Sequence, residues 1–244
     1  MRNPLSYAAS ALLLMLAAAA GNVHASGNDI TIGAIPDQPT FDAFIDEIGT
    51  ATAYNPLSPA EPLGLTGFDI GIAFSMVSID TAIWDQVVVD GAAPSSLPVP
   101  RLMLRKGLPL GIDIGLSRIS VPGSNVAVNG YELRYAILEG STVSPAVSVL
   151  AHSSKMTGVS DVDLSSYGVD VGVSKGFAML TPYAGAGKVW YKGSDTTNTW
   201  ADRDTSVTRS YIGVRIGFLP FMNMVAQVDF SEVNSYSLRL NVGF

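Results

Sequence analysis

From residue 66 to the end of the chain, apolar and polar residues alternate with a period of two, as in strands with one face buried. The first run sets Phe68, Ile70, Ile72, Phe74 and Met76 against Asp69, Gly71, Ala73 and Ser75. The pattern predicts nine more strands, near 99–106, 112–117, 131–137, 144–154, 169–174, 181–192, 211–218, 222–230 and 236–244. The fifth is weakly patterned, and glycines leave the register of the seventh open. These lengths approach the ~9–11 residues that a tilted strand needs to cross a bilayer. The connections at 106–110, 139–143, 175–180 and 218–221 read as tight, and those at 79–98, 120–127, 155–162 and 193–205 as longer and polar. Short turns at one end and long loops at the other characterise membrane barrels. The expected fold is therefore all-β, an antiparallel up-and-down transmembrane β-barrel of about ten strands over 66–244, preceded by a short N-terminal helical extension.

The face opposite the apolar one carries charge, strand after strand. Parity places Asp69, Arg101, Arg105, Asp113, Glu132, Arg134, Asp170, Lys188, Arg209, Arg215, Asp229 and Arg239 in the lumen. A soluble sandwich or lipocalin-like barrel would have to bury these charges in a dry core, which is costly. In a membrane barrel they line a polar interior. Two readings follow for the slight basic excess. It belongs to an ion-pair network filling a narrow barrel, or it lines a pore with a weak preference for anions.

Residues 26–65 differ in character. Thr40 to Ile48 reads as a helix with Thr40 as N-cap and Gly49 as the stop, and Phe41, Phe44, Ile45 and Ile48 share one face. Asp42, Asp46 and Glu47 make it acidic, and no Lys or Arg occurs in this region. Pro56, Pro59 and Pro62 keep the following linker extended. Acidic helix and basic lumen are complementary, so this segment is expected to plug the barrel by entering it or sealing one mouth. The alternative is a helix that docks on a partner or a leaflet.

Composition narrows the setting. Arg2, an apolar run over 7–20 and Val23-His24-Ala25 form an export signal with cleavage expected after Ala25. Cysteine is absent and the formal charge is −7. There is no basic stripe, which excludes a nucleic-acid partner. No metal-ligand spacing, phosphate loop or cofactor motif occurs, and His152 is the one histidine after residue 25. Neither metal nor cofactor is expected.

The last strand, Tyr236-Ser-Leu-Arg-Leu-Asn-Val-Gly-Phe244, resembles the closing strand of the Gram-negative bacterial outer-membrane β-barrel proteins. In that superfamily the strand ends in an aromatic residue with apolar residues at alternate positions before it. The resemblance implies an outer-membrane location with both termini in the periplasm. It also implies recognition of Tyr236, Leu238, Leu240, Val242 and Phe244 by the barrel-assembly machinery. Membrane lipid and lipopolysaccharide are the further partners it implies. The helix is then expected in the lumen or at the periplasmic mouth. Tyr131, Tyr183, Tyr191, Tyr211, Tyr236, Phe218 and Phe244 are expected in the aromatic girdles, and Trp84 and Trp200 in outer loops.

Two resemblances bear on chemistry. His152 and Ser154 share a strand face, and the His-x-Ser spacing is similar to that of lipid A deacylases and, loosely, outer-membrane phospholipases. The chain departs from both in lacking an obvious Glu or Asn to orient His152, a role left to Asp161 or Asp163. The omptin proteases also use ten strands, with paired acids and a histidine above the membrane. Here Asp80, Asp85 and Asp90 lie in one outer loop and Asp195, Asp202 and Asp204 in another. An acidic loop bridged to lipopolysaccharide by divalent cations is the preferred reading of these, and the chain is short for that family's tall barrel. The expectation is a non-enzymatic barrel, structural or a narrow, partly plugged porin-like channel for small solutes. The alternative is a lipid-active hydrolase.

Overall fold

The computed structural model describes residues 35–86, 95–120 and 126–244, so the export signal and Asp90 lie outside the described residues. Ten strands form a closed barrel: β1 (Phe68–Ser78), β2 (Ser96–Gly107), β3 (Ile112–Ser120), β4 (Ala127–Glu139), β5 (Ala146–Thr157), β6 (Val162–Ser174), β7 (Leu180–Asp195), β8 (Arg203–Leu219), β9 (Met222–Phe230) and β10 (Ser235–Gly243). Each pairs antiparallel with its chain neighbour, and β1 closes the ring on β10 through Ile70↔Val242, Ile72↔Leu240 and Phe74↔Leu238. Closure leaves no unpaired sheet edge, which a wall facing lipid cannot tolerate. Burial alternates along the strands as the pattern predicts: Phe74, Leu116, Leu133 and Leu238 stand outward, while Asp69, Arg101, Asp113 and Glu132 are buried inside.

Both doubtful strands are regular, and several run beyond their predicted ends. β8 begins at Arg203, within the connection expected at 193–205 and ahead of the strand expected near 211–218. Its outward side chains there are Asp204, Ser206, Thr208 and Ser210, so no apolar alternation marks it. The connections β2–β3, β4–β5, β6–β7 and β8–β9 share one end with Phe244, here the turn end; the other connections make the loop end.

Helix α1 (Gln38–Thr52) lies inside the barrel at the loop end. Its N-cap is Asp37, whose carboxylate accepts from the Thr40 amide at 2.9 Å, with Pro39 in the first turn. Thr40 is therefore inside the helix, and Gly49 does not stop it. Gly49 is there for close approach, since a Cβ on it would meet the Tyr191 ring at 3.1 Å. Phe41, Phe44, Ile45 and Ile48 pack against Val77, Val99, Ile119, Val128, Met156, Val162 and Leu164 of the wall. Phe44 meets Trp84 of the short helix α2 (Thr81–Trp84) edge-on at 5.3 Å.

The helix thus lies in the lumen, one of the two places expected for it, and not at the mouth where the turns and Phe244 lie. Ile35 joins the same apolar cluster at the loop end; residues 26–34 lie outside the described residues.

Candidate functional site

Below α1 the chain runs extended through the lumen and emerges at the turn end beside Gly67 and Phe68. Pro56, Pro59 and Pro62 carry no N–H, so this stretch cannot join a strand ladder, yet its carbonyls need donors. The wall supplies them. Arg101 Nη2 donates to the Ala53 carbonyl at 2.8 Å, Arg209 Nη1 to Tyr54 at 2.5 Å, and Arg239 Nη1 to Leu57 at 3.0 Å. Arg134 Nη1 donates to the Pro59 carbonyl, and Lys106 Nζ to that of Leu65 at 2.5 Å. The Ala60 amide donates to Ser174 Oγ and the Leu63 amide to Asp113, both within 3.1 Å. Side chains fix the register: Tyr54 donates to Glu132 at 2.6 Å, Asn55 to Asp229 at 3.0 Å, and Arg215 to Glu61 at 2.7 Å.

Carboxylates of the wall balance Arg209 and Arg239 of this set, and Arg105 beside them. Arg105 bridges Asp113 at 3.0 Å and Glu132 at 2.6 Å, Arg209 pairs with Asp170 at 2.5 Å, and Arg239 with Asp69. Eleven of the twelve expected lumen charges do face inward, and all eleven act in this network. Lys188 is the exception. It points outward on β7, with its Nζ 5.6 Å from the Trp190 ring centroid. Tyr183, Tyr191 and Tyr211 point inward rather than into a girdle. Gly185 and Gly213 face the lumen and leave room for the Tyr211 and Tyr183 rings. Glycines at inward positions were the available signal for aromatic rings reaching across.

The acids of α1 do not meet the lumen cations. Asp46 pairs with Arg203 at 2.7 Å and Asp42 lies 3.8 Å from it, at the rim. Glu47 accepts from Trp84 Nε1 at 2.7 Å and from the Asp80 amide at 3.1 Å. Burial outweighs these bonds and raises the Glu47 carboxyl above the usual glutamate range. Trp84 is thus sealed in the apolar cap, and Trp200 packs half-buried against it.

His152 and Ser154 both face the lumen but are turned to different partners. His152 Nε2 meets Asp170 Oδ2 and Arg209 at 3.1 Å, and its ring stacks on Tyr54 at 5.7 Å. Ser154 Oγ meets Ser166 Oγ at 2.7 Å and donates to the Thr52 carbonyl at 3.3 Å. Asp170 on the next strand, and neither Asp161 nor Asp163, is the acid at His152; Asp163 pairs with Lys155 outside. In the loops, Asp80 caps α2 and Asp195 accepts the amides of Thr197, Thr199 and Trp200. Little space remains beside the threaded segment. A cavity against Asn55, Arg101 and Asp229 has about 30 Å³ of water-accessible space, and one against Ser58, Arg134 and Tyr211 about 10 Å³. Spaces of this size admit a few waters and no larger solute.

At the closing seam Tyr236, Leu238 and Leu240 stand outward, and Phe244 packs edge-on against Phe68 at 4.6 Å and Phe221 at 5.9 Å. No protein-family model and no curated protein matches the chain. Solved structures similar to it include a KdgM porin, at TM-score 0.37 and 9% identity over 72% of this chain and 99% of that one. Neisserial surface protein A has TM-score 0.33 and 12% identity over 72% and 95%. A loop L8 deletion mutant of OmpT, an outer membrane protein of Vibrio cholerae, has TM-score 0.34 and 13% identity over 62% of this chain; the chain spans 55% of its length.

Proposed function

We propose that this chain is a non-enzymatic outer-membrane barrel whose lumen is closed by its own N-terminal segment, residues 38–65. One observation carries the reading: four inward arginines of the wall donate to carbonyls spaced along that segment from Ala53 to Pro59, and Lys106 at the turn-end rim donates to Leu65. A pore would keep such groups for its solute. Here they are spent on peptide, and the two cavities described beside it are small. The outward row of apolar side chains supports a place in lipid, with the loop end outward and the turn end in the periplasm. Single-channel recording in a planar bilayer tests the closure. The full chain is expected to pass no steady current, and a chain lacking 35–59 to conduct. Equal conductance of the two would sink the reading.

A further inference from the structure

The outward face of the wall is uneven. Register places the outward residues of β5, β6 and β7 in rows: Val147–Val173–Ala184, Val149–Val171–Ala186, then Ala151–Val169–Lys188. Up to Lys188 no side chain in these rows is larger than valine. On the β4 side the rows are flanked by Leu138, Tyr135 and Leu133. On the β8 side they are flanked by Ile212 beside Ala184, then by Ser210 beside Ala186 and Thr208 beside Lys188. Short side chains beside the bulky β4 ridge form a shallow apolar trough that opens toward the hydroxyls of β8. The next row toward the loop end closes it, with Tyr167 stacked on Trp190 at 5.3 Å and 10°. Above this pair lie Lys155, Ser165 and Lys192, and the outward hydroxyls of Ser206 and Thr208 lie beside Trp190 and Lys188.

Lys188 is out of place on an apolar wall. A lysine facing lipid is costly at the bilayer midplane and readily tolerated at the head-group level. Its position over Trp190 shows it turned toward the loop end, as a snorkelling lysine turns. The opposite wall has nothing comparable: in its loop half β9, β10 and β1 present Val228, Phe230, Tyr236, Leu238, Phe74 and Met76, with no outward lysine or arginine among the described residues. Near the trough Lys155, Lys188 and Lys192 face two carboxylates, Asp163 paired to Lys155 and Asp204 opposite Lys192 in register, which leaves a net cation.

The geometry points to a binding site for one phosphate-bearing, multiply acylated lipid of the surrounding leaflet. Acyl chains lie in the trough, the sugar or glycerol backbone rests against Tyr167 and Trp190, and Lys188 and Lys192 bracket the phosphate. The site rests on the membrane location proposed above. The test offers the refolded full chain bisphosphorylated lipid A or its dephosphorylated form in detergent and counts retained lipid by native mass spectrometry. One phosphorylated lipid is expected to stay bound while the dephosphorylated form is lost. Lys188→Gln with Lys192→Gln should weaken retention roughly thirtyfold, and Arg118→Gln, elsewhere on the wall, should not. Equal retention of the two lipids by the unaltered chain, or an unchanged double variant, would overturn the site. If the double variant does not fold, the contrast between the lipids still decides. Failure of the unaltered chain to insert into vesicles would instead count against the membrane reading.

Discussion

Two neighbouring stretches of the N-terminal segment are held by opposite means. Helix α1 satisfies its own backbone and asks only for an apolar socket, which Val77, Val99, Ile119, Val128 and Met156 provide. The extended stretch 53–65 satisfies little of its own backbone beyond the Leu57 and Ser58 amides. The wall meets its carbonyls with Arg101, Arg209, Arg239 and Arg134 inside and Lys106 at the turn-end rim. The lumen changes from apolar to charged where the segment changes from helix to extended chain. The lining of this barrel is thus complementary to its own peptide, level by level.

The comparison can be broken at either level. The largest effect is expected from Arg239→Met, which frees the Leu57 carbonyl and leaves Asp69 without its cation. Removing one partner of a buried ion pair costs about 3–5 kcal/mol, to be read as a lower urea midpoint of the refolded barrel. Phe44→Ala empties the apolar socket instead, at about 3 kcal/mol. Hydrogen exchange should then quicken in α1 while the strand amides stay protected. Quickening of both together would mean that helix and wall unfold as one unit.

Asp37→Ala removes the N-cap at a cost of about 1 kcal/mol, and should fray only the first turn of α1 by the same exchange measurement. The smallest effect is a pH dependence at Glu47. Its carboxyl is raised in the folded chain by burial, so folding favours the protonated form. That contribution is fully present below the ordinary glutamate value of about 4.3 and is lost as pH rises through the raised one. The seat of α1 should therefore be tighter in acid than at neutrality. Glu47→Gln, which keeps an acceptor for Trp84, should flatten this dependence; a slope unchanged in the variant would assign it to another group.

The wall was legible in the sequence because lipid outside and charge inside impose strict alternation, and ten strands with their inward charges followed from parity. The rest was hidden where that contrast fades. Outward Ser206, Thr208 and Ser210 concealed the first half of β8, and glycines left β7 free to be read in either register, which misplaced Lys188 and Tyr183. The place of α1 had a signal: Val77, Val99, Ile119, Val128 and Met156 are apolar at inward positions, all toward the loop end. Such a reversal of the inside rule marks a socket for an apolar helix. The carbonyl ladder had none, since arginine paired with carboxylate and arginine bonded to peptide look alike in a sequence.

Threading of the segment through the barrel is tested most directly by cysteine labelling, because the chain has no native cysteine. Pro36 is exposed at the loop end, Leu65 is 64% exposed at the turn end, and Leu57 between them is fully buried. With a membrane-impermeant thiol reagent on intact cells, Pro36→Cys should react. Leu65→Cys should react only after the outer membrane is permeabilised, and Leu57→Cys in neither case. Labelling of Pro36→Cys and Leu65→Cys from the same side, or ready labelling of Leu57→Cys, would contradict a lumen filled by the chain's own N-terminal segment.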